Sequence, residues 1–369
     1  MNLKASFEDK TQNGAKALCV LLELAEDSLQ SKLDKHFNLQ KLIDTKQVAK
    51  WLHHIALGMA FLHEENRKLG KVQRIIHRDL KPGNILICAK NVAKIAKKKG
   101  IPTMNEFFGE KTAIELSESK KKADILIGNN VLAHVPNLND FIKGLKILLN
   151  SGGVITLEFP HILQLIQYNQ FDTIYHEHFS YFSFITIQKI LAFHKLNIFD
   201  VEELSTHGGS LRIFVCHDDD EFLISNNVEL LIQKEQKFGL DKIETYVNFQ
   251  QNINHLKNSL HKFFVSTKKE NKTVVGFGAP AKGNTLLNFC KIGTNFLDYV
   301  VDNNPHKQGL FLPGTHIPIF SPQKIYETKP DYLIILPWNL KNEIIEQTNF
   351  IKEWGGKHVL LIPEIEIIK

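Results

Sequence analysis

Apolar and polar positions change period several times along the chain, and each change marks an element. Residues 17–24 are almost continuously apolar and read as a buried strand. Residues 44–63 have helical spacing, with Val48, Trp51, Leu52, Ile55, Ala56 and Met59 toward one side. Beyond residue 88 the rhythm becomes α/β. Helices are expected over 91–99, 112–121, 138–149 and 185–194, and strands over 124–128, 154–160 and 211–216. Ser151-Gly152-Gly153 stops the third of those helices. Strands alternating with helices predict a doubly wound sheet that takes its ligands at the strand ends. Residues 222–268 read as largely helical and lead to a last α/β unit. In that unit a strand over 273–275 runs into Gly276-x-Gly278-x-x-Ala281, and a strand over 299–301 ends at Asp302.

Composition narrows the class. A chain of 369 residues with 43% hydrophobic and 23% charged content has enough apolar material for two or three globular cores. No apolar run approaches the ~20 residues of a membrane helix, and residues 1–10 lack the apolar core of a signal peptide. Cys19, Cys88, Cys216 and Cys290 are scattered, with no Cys-x-x-Cys pair. They read as free thiols in a reducing, cytoplasmic compartment, with no structural zinc. The net charge of +5 is mild. Its densest source is Lys90, Lys94, Lys97, Lys98 and Lys99, interrupted by Val92, Ile95, Ala96 and Ile101 at roughly helical spacing. That spacing describes the wet face of an amphipathic helix better than a nucleic-acid patch. Neither nucleic acid nor membrane is expected as a partner.

The stretch richest in chemistry is Phe171-Asp172-Thr173-Ile174-Tyr175-His176-Glu177-His178-Phe179-Ser180-Tyr181-Phe182-Ser183. A solvated loop has no use for so many aromatics, and a core strand none for so many titratable groups. A half-buried pocket that moves protons uses both, because a low dielectric brings His and Glu toward neutral pKa values. Tyr175 and His178 are three apart and share a face of a helical turn. Two other readings stand beside this one. His178 suits a satisfied core histidine, and His176 with His178 would share a face of a strand as metal ligands. No cysteine or third ligand lies nearby at zinc spacing, so no metal is assigned. Asn130 and His134, four apart beyond a strand end, would point into one pocket from a helical turn, although His134 also suits a cap or the surface. The Gly276/Gly278 loop allows backbone to approach a phosphate, and Asp302 would take ribose hydroxyls; a tight turn with no ligand fits it equally.

The segment Tyr175-His176-Glu177-His178-Phe179-Ser180-Tyr181-Phe182-Ser183 resembles the signature of the sugar C-methyltransferases. The likeness extends, in order, through residues 123–135, Thr206-His207-Gly208-Gly209-Ser210-Leu211-Arg212, and Gly276-Phe277-Gly278-Ala279-Pro280-Ala281-Lys282-Gly283-Asn284, and covers about residues 89–369. It implies transfer of a methyl group from S-adenosylmethionine to a carbon of a nucleotide-linked keto-deoxysugar. By the same resemblance His178 would be the base, with Glu177 and Tyr175 beside it and with Asn130 and His134 facing the sugar. Gly208, Gly209 and Arg212 match a family turn and are expected to be structural. The C-terminal unit would help enclose the nucleotide-sugar, with Gly276, Gly278, Lys282 and Asp302 on the substrate. Two departures stand out: the cysteine-rich zinc module that usually opens the family is missing, and so is a glycine-rich donor loop ahead of residue 88.

Arg74-Ile75-Ile76-His77-Arg78-Asp79-Leu80-Lys81-Pro82-Gly83-Asn84-Ile85-Leu86-Ile87 is similar to the catalytic loop of serine/threonine protein kinases. That resemblance implies a proton acceptor at Asp79, a phosphate contact at Lys81 and a magnesium ligand at Asn84. It covers only about residues 17–87, without the glycine-rich ATP loop, Asp-Phe-Gly or Ala-Pro-Glu, so little phosphoryl transfer is expected.

The two resemblances abut at residues 87 and 88 with no linker, as in a fused or mis-assembled reading frame. The expected domains are therefore a truncated, mainly helical kinase fragment (1–87), the second half of a methyltransferase domain (88–217), a helical bridge (218–268) and a C-terminal Rossmann-like unit (269–369). The methyltransferase sheet is expected to be incomplete, with its central first strand missing and Asn84 to Ile87 standing in for its second. An inactive nucleotide-binding or scaffold protein is the alternative to an enzyme.

Overall fold

The computed structural model describes residues 19–23, 86–87, 103–104, 106–119 and 121–368. The first unit contains strands β1 (Cys19–Glu23), β2 (Leu86–Ile87) and β3 (Thr103–Met104), helix α1 (Glu110–Glu118), β4 (Ala123–Asn129), α2 (Leu138–Leu148), β5 (Leu149–Pro160), α3 (Ile162–Gln167), α4 (Phe184–Phe193), β6 (Leu196–Leu204) and β7 (Ser210–His217). Its seven strands lie in the order β3-β2-β1-β4-β5-β7-β6. β7 runs antiparallel between β5 and β6, and the other pairings are parallel.

The expectation of an incomplete sheet is corrected here. Cys19–Glu23 fills the central place, pairing in parallel with β4 from Cys19↔Ile125 to Glu23↔Asn129. A central parallel strand makes its ladder through the backbone and asks of the sequence only a short apolar run. The run at residues 17–24 meets that demand even though it lies in the kinase-like region. Leu86–Ile87 takes the neighbouring place, as foreseen. The rest of the kinase-like region, including Asp79, Lys81 and Asn84, and the helix expected over 91–99 lie outside the described residues.

Local chemistry accounts for the helices. Asn137 accepts the amide of Asp140 at 3.2 Å and starts α2, which buries Phe141, Ile142, Leu145 and Leu148. Ser183 accepts the amide of Thr186 at 3.1 Å and starts α4. At Gly144 a Cβ would lie 2.7 Å from the Gly109 backbone, so only glycine lets α2 approach the start of α1 this closely. The sequence pattern did not reveal β6, because a register shift between Ile198 and Asp200 breaks the alternation.

Helix α5 (Asn226–Phe238) packs on β6 and α4 and sends Val228 and Leu231 into the first unit's core. The second unit follows with α6 (Ile243–Lys269), β8 (Val274–Phe277), α7 (Ala281–Phe289), β9 (Val300–Val301), β10 (Ile319–Phe320), α8 (Lys324–Thr328), β11 (Tyr332–Ile335), α9 (Lys341–Gln347), β12 (Lys357–Leu360) and β13 (Glu366–Ile368). Gly239, at φ 86°, ends α5 in the left-handed conformation and separates it from α6. The sheet order is β10-β9-β8-β11-β12-β13, parallel except for β13. The helix α6 buries Ile253, Leu256, Leu260 and Phe264 in a core shared with Leu286, Leu287, Val300 and Ile334. Phe171 of the first unit joins that core and meets Phe289 with ring centroids 5.1 Å apart. The chemistry-rich stretch therefore begins where the two units meet.

Candidate active site

The parallel strand β4 ends at Asn129, and the chain turns at once. Asn130 takes φ 53° and donates its amide to Glu158 O on β5 at 2.8 Å. A short 3-10 turn, Leu132–His134, buries Leu132 and Ala133 and leaves His134 half-exposed. The second strand of chain reaches the site from Phe171–Thr173, another 3-10 turn. Residues 175–178 then close a turn through His178 N–H to Tyr175 O at 3.0 Å. The amides of Phe179 and Ser180 both donate to Ala133 O, at 2.8 and 3.3 Å. That shared carbonyl ties the loop carrying His178 to the turn carrying His134.

Four rings meet as a result. Tyr175 stacks on His178 with centroids 4.6 Å apart and planes 29° apart. His134 meets His178 edge to face at 4.7 Å, and Tyr181 does so at 5.7 Å. His178 Nδ1 lies 3.1 Å from Thr173 O. A carbonyl only accepts, so the proton of the neutral ring belongs on Nδ1, and Nε2 is left with its lone pair. Burial, and then the neighbouring His134, hold the His178 pKa below its ordinary 6.5. Burial, and then the charge of Glu177, push Tyr175 up to about 12, so it stays a phenol. The pocket thus presents a neutral imidazole and a protonated phenol side by side at neutral pH. His176 and Glu177 are exposed at its edge.

A third loop joins them. The turn Thr206–Gly208 holds His207 at φ 54°, and Asn130 Nδ2 lies 3.2 Å from His207 Nε2. Gly208 and Gly209, at φ 93° and 123°, adopt backbone conformations that other residues enter only with strain. Thr206 Oγ1 donates to Glu158 at 3.0 Å, and Arg212 bridges Glu158 at 3.0 Å and Glu202 at 3.1 Å. These contacts pin the turn through Glu158.

The other site residues divide into two groups. Gly276 lies in β8, Gly278 stands on the turn between β8 and α7, and Asp302, just beyond β9, closes that turn. Asp302 accepts the amides of Ala279 at 2.7 Å and Asn304 at 2.8 Å, and Lys307 lies 3.6 Å away. Lys282 points elsewhere. It donates to Asn339 Oδ1 at 2.5 Å and lies 4.5 Å from the centre of the Trp338 ring. Trp338 in turn donates to Asp172 at 2.7 Å. Sequence reasoning passed over Glu158, Asp172, His207 and Trp338 as site residues. For Asp172 and His207 the signal was their place within the quoted motifs, while Trp338 lies far off in sequence and had none. Among the described residues, no group of three His, Cys, Asp or Glu side chains converges as a metal site.

On the methyl-donor side of the sheet the described residues are the strands β1 and β2. Asn129 Oδ1 is buried without a partner at the carboxyl end of β4, an acceptor at the edge where a class I sheet takes its ligand. However, β1 is followed by Leu24-Ala25-Glu26-Asp27-Ser28, and no glycine occurs from residue 15 to residue 57. β2 ends at Ile87, a residue type with no acceptor for ribose hydroxyls.

Residues 205–363 match the C-methyltransferase C-terminal domain, and residues 1–97 match the protein kinase domain. The serine/threonine-protein kinase MRK1 homolog of Encephalitozoon cuniculi is 31% identical over 24% of this chain and 23% of its own. Among solved structures, a SAM-dependent methyltransferase from Anabaena variabilis aligns with 37% of this chain and 69% of its own, at 15% identity and a TM-score of 0.31. At that score the fold rests on the strand order described above. The C-methyltransferase NovU of Streptomyces niveus is 32% identical over 280 residues, which are 76% of this chain and 67% of that protein. On that extent of identity the chain belongs to the C-methyltransferase family.

Proposed function

We propose that the pocket ionises a carbon beside the carbonyl of a nucleotide-linked keto-deoxysugar, the acceptor half of an S-adenosylmethionine-dependent C-methylation. The observation that carries this reading is the bond between His178 Nδ1 and Thr173 O, 3.1 Å, which leaves Nε2 as the free base. The C–H proton moves to Nε2, its bonding pair becomes the carbon–carbon double bond, and the carbonyl oxygen takes the negative charge. Tyr175, kept protonated by burial, supplies a donor to that oxygen, and His134 and Asn130 line the same hollow. Glu177 sits at the edge, where its charge favours the imidazolium that forms. The Gly276/Gly278 loop is assigned to the nucleotide end of the substrate, while Lys282 stays on the Trp338 ring beside the pocket. In a complete relative the methyl group comes from S-adenosylmethionine. Here the donor side lacks its loop, so the acceptor binds and S-adenosylmethionine does not. The kinase-like residues Asp79, Lys81 and Asn84 take no part in this chemistry.

Proton removal needs no methyl donor, which makes the reading testable on this chain. A panel of nucleotide-linked keto-deoxysugars incubated with it in D2O is expected to lose, by NMR, the proton on the carbon flanking the carbonyl. His178→Gln is expected to slow that exchange by about 100-fold or more. Exchange that is absent from the whole panel, or unchanged in the His178→Gln chain, refutes the proposal. Stable folding with no sugar-nucleotide affinity identifies an inactive binding or scaffold protein instead.

A further inference from the structure

Trp338 stands on the short turn Trp338–Leu340 that follows β11, in the second unit, yet its indole touches both loops that build the pocket of the first. On one edge Nε1 donates to Asp172 Oδ2 at 2.7 Å. Asp172 is fully buried, and its other oxygen has no hydrogen-bond partner, so this indole is the side-chain donor its carboxyl group meets. The next residue, Thr173, is the one whose carbonyl receives His178 Nδ1. On the opposite edge the six-membered ring lies against Gly208. A Cβ there would fall 2.2 Å from Trp338 Cη2 and 2.6 Å from Cζ3, so the turn carrying His207 rests directly on the ring. Gln170 completes the bracket, donating Nε2 to Gly208 O at 2.7 Å. Lys282 covers one face of the ring at 4.5 Å and is held there by Asn339.

We infer that Trp338 is a positioning residue that sets the orientation and tautomer of His178 and the placement of His207, so that docking of the C-terminal unit assembles the proton-handling pocket. The physical case is one of constraint. His178 is fixed by a single bond to Thr173 O and by ring contacts, and Thr173 lies on a three-residue turn with little stiffness of its own. Trp338 anchors that turn by a bond to a buried acceptor and blocks the other loop sterically, and a rigid bicyclic ring transmits position between the two. Misplacement of a reacting group by about 1 Å costs up to about a hundredfold in rate, so an anchor of this kind matters without touching substrate. That His178 acts as the base rests on the function proposed above, whereas the bracket rests on geometry alone.

The test reads His178 directly. In the full chain with 15N- and 13C-labelled histidine, the His178 ring signals are assigned by their loss in His178→Gln. In the wild type they are expected to show the Nδ1–H tautomer and the shift imposed by the stacked Tyr175 ring. Trp338→Phe keeps a ring and removes the donor. It is expected to give mixed-tautomer His178 signals, a smaller Tyr175-induced shift and displaced His207 signals, and to slow D2O exchange of the sugar carbon by up to about a hundredfold at an unchanged substrate Kd. Trp354→Phe, a control whose indole serves Pro330 O at 3.0 Å, is expected to leave these signals in place. If Trp338→Phe does not fold, Asp172 supplies the same test: Asp172→Asn keeps an acceptor for the indole and preserves the His178 signals, and Asp172→Leu loses both. Wild-type His178 and His207 signals in folded Trp338→Phe, or in folded Asp172→Leu, overturn the inference. Absent exchange in the wild type alongside displaced ring signals in Trp338→Phe refutes the proposed reaction and leaves the bracket standing.

Discussion

His134 and His178 meet edge to face with ring centroids 4.7 Å apart, held there by the two amides that share Ala133 O. A positive His134 repels a second proton, and this adds to burial in holding the His178 pKa below 6.5. The lowered value keeps His178 neutral, and basic, at neutral pH. His134→Gln removes the repulsion but not the burial, so the titration of His178 is expected to move up in pH without passing its ordinary value. The acid limb of carbon-proton exchange should move up with it. An NMR titration of the His178 ring checks the direction, and a midpoint that stays or falls refutes the coupling.

Arg212 joins two strands by reaching Glu158 and Glu202 together. Glu158 is almost fully buried, and Arg212 is about one-third exposed, so the pair is only partly screened by solvent. Replacing Arg212 by Met leaves a buried carboxylate without its cation. The expected cost is about 1–3 kcal/mol, below the loss for a fully buried pair because water reaches the arginine. Arg212→Lys should recover only part of this, since an ammonium lacks the fork that serves two carboxylates. Urea denaturation midpoints measure both.

Glu235 on α5 is fully buried and accepts three donors: Phe184 N at 2.6 Å, Ile185 N at 2.9 Å and His161 Nε2 at 2.7 Å. It caps the first turn of α4 from another helix, a favourable place for a negative charge. Glu235→Ala orphans two amides and a histidine in the core, and is expected to lower stability by about 2–4 kcal/mol. Glu235→Gln, which still accepts through Oε1, should lose less. Thermal unfolding of the two variants checks the order, and equal midpoints refute the cap.

The residues that were legible in the sequence share one property: their signal is local. β4, α2, α4 and β7 follow from the apolar period, and each lies within a few residues of its expected span. The union of Tyr175 and His178 also followed from spacing, although a turn rather than a helix brings them together. What stayed hidden depends on partners distant in sequence. Glu235 is an ordinary helix position until its side chain meets the start of α4. Trp338 has no local motif, and its relation to Asp172 exists only once the two sheets have packed. The central strand Cys19–Glu23 was visible as an apolar run, but its place beside β4 was not, because a parallel ladder carries no register information in a short apolar stretch.

Two buried groups give the chain opposite responses to acid, and single variants separate them. His358 is fully buried beside Thr348 at 2.7 Å, and burial lowers its pKa to about 4. The unfolded chain therefore binds this proton first. His358 lends stability above about pH 6.5 that is lost as pH falls toward 4, in all about 3 kcal/mol. Asp172 runs the other way. Burial raises its pKa from 3.8 to about 6, against the pull of Trp338 and Lys282, so the folded state holds the proton longer than the unfolded one. The resulting penalty is absent at pH 3.8 and complete above about pH 6, again about 3 kcal/mol at most. Asp172→Asn keeps the acceptor for Trp338 and removes the charge, so it is expected to stabilise the chain at pH 7.5 and to leave it near wild type at pH 4. His358→Gln should flatten the loss of stability between pH 6.5 and 4. Urea denaturation of each variant at those pH values measures both slopes. A gain from Asp172→Asn that is equal at pH 4 and 7.5 would show that the buried carboxyl group is not the titrating one.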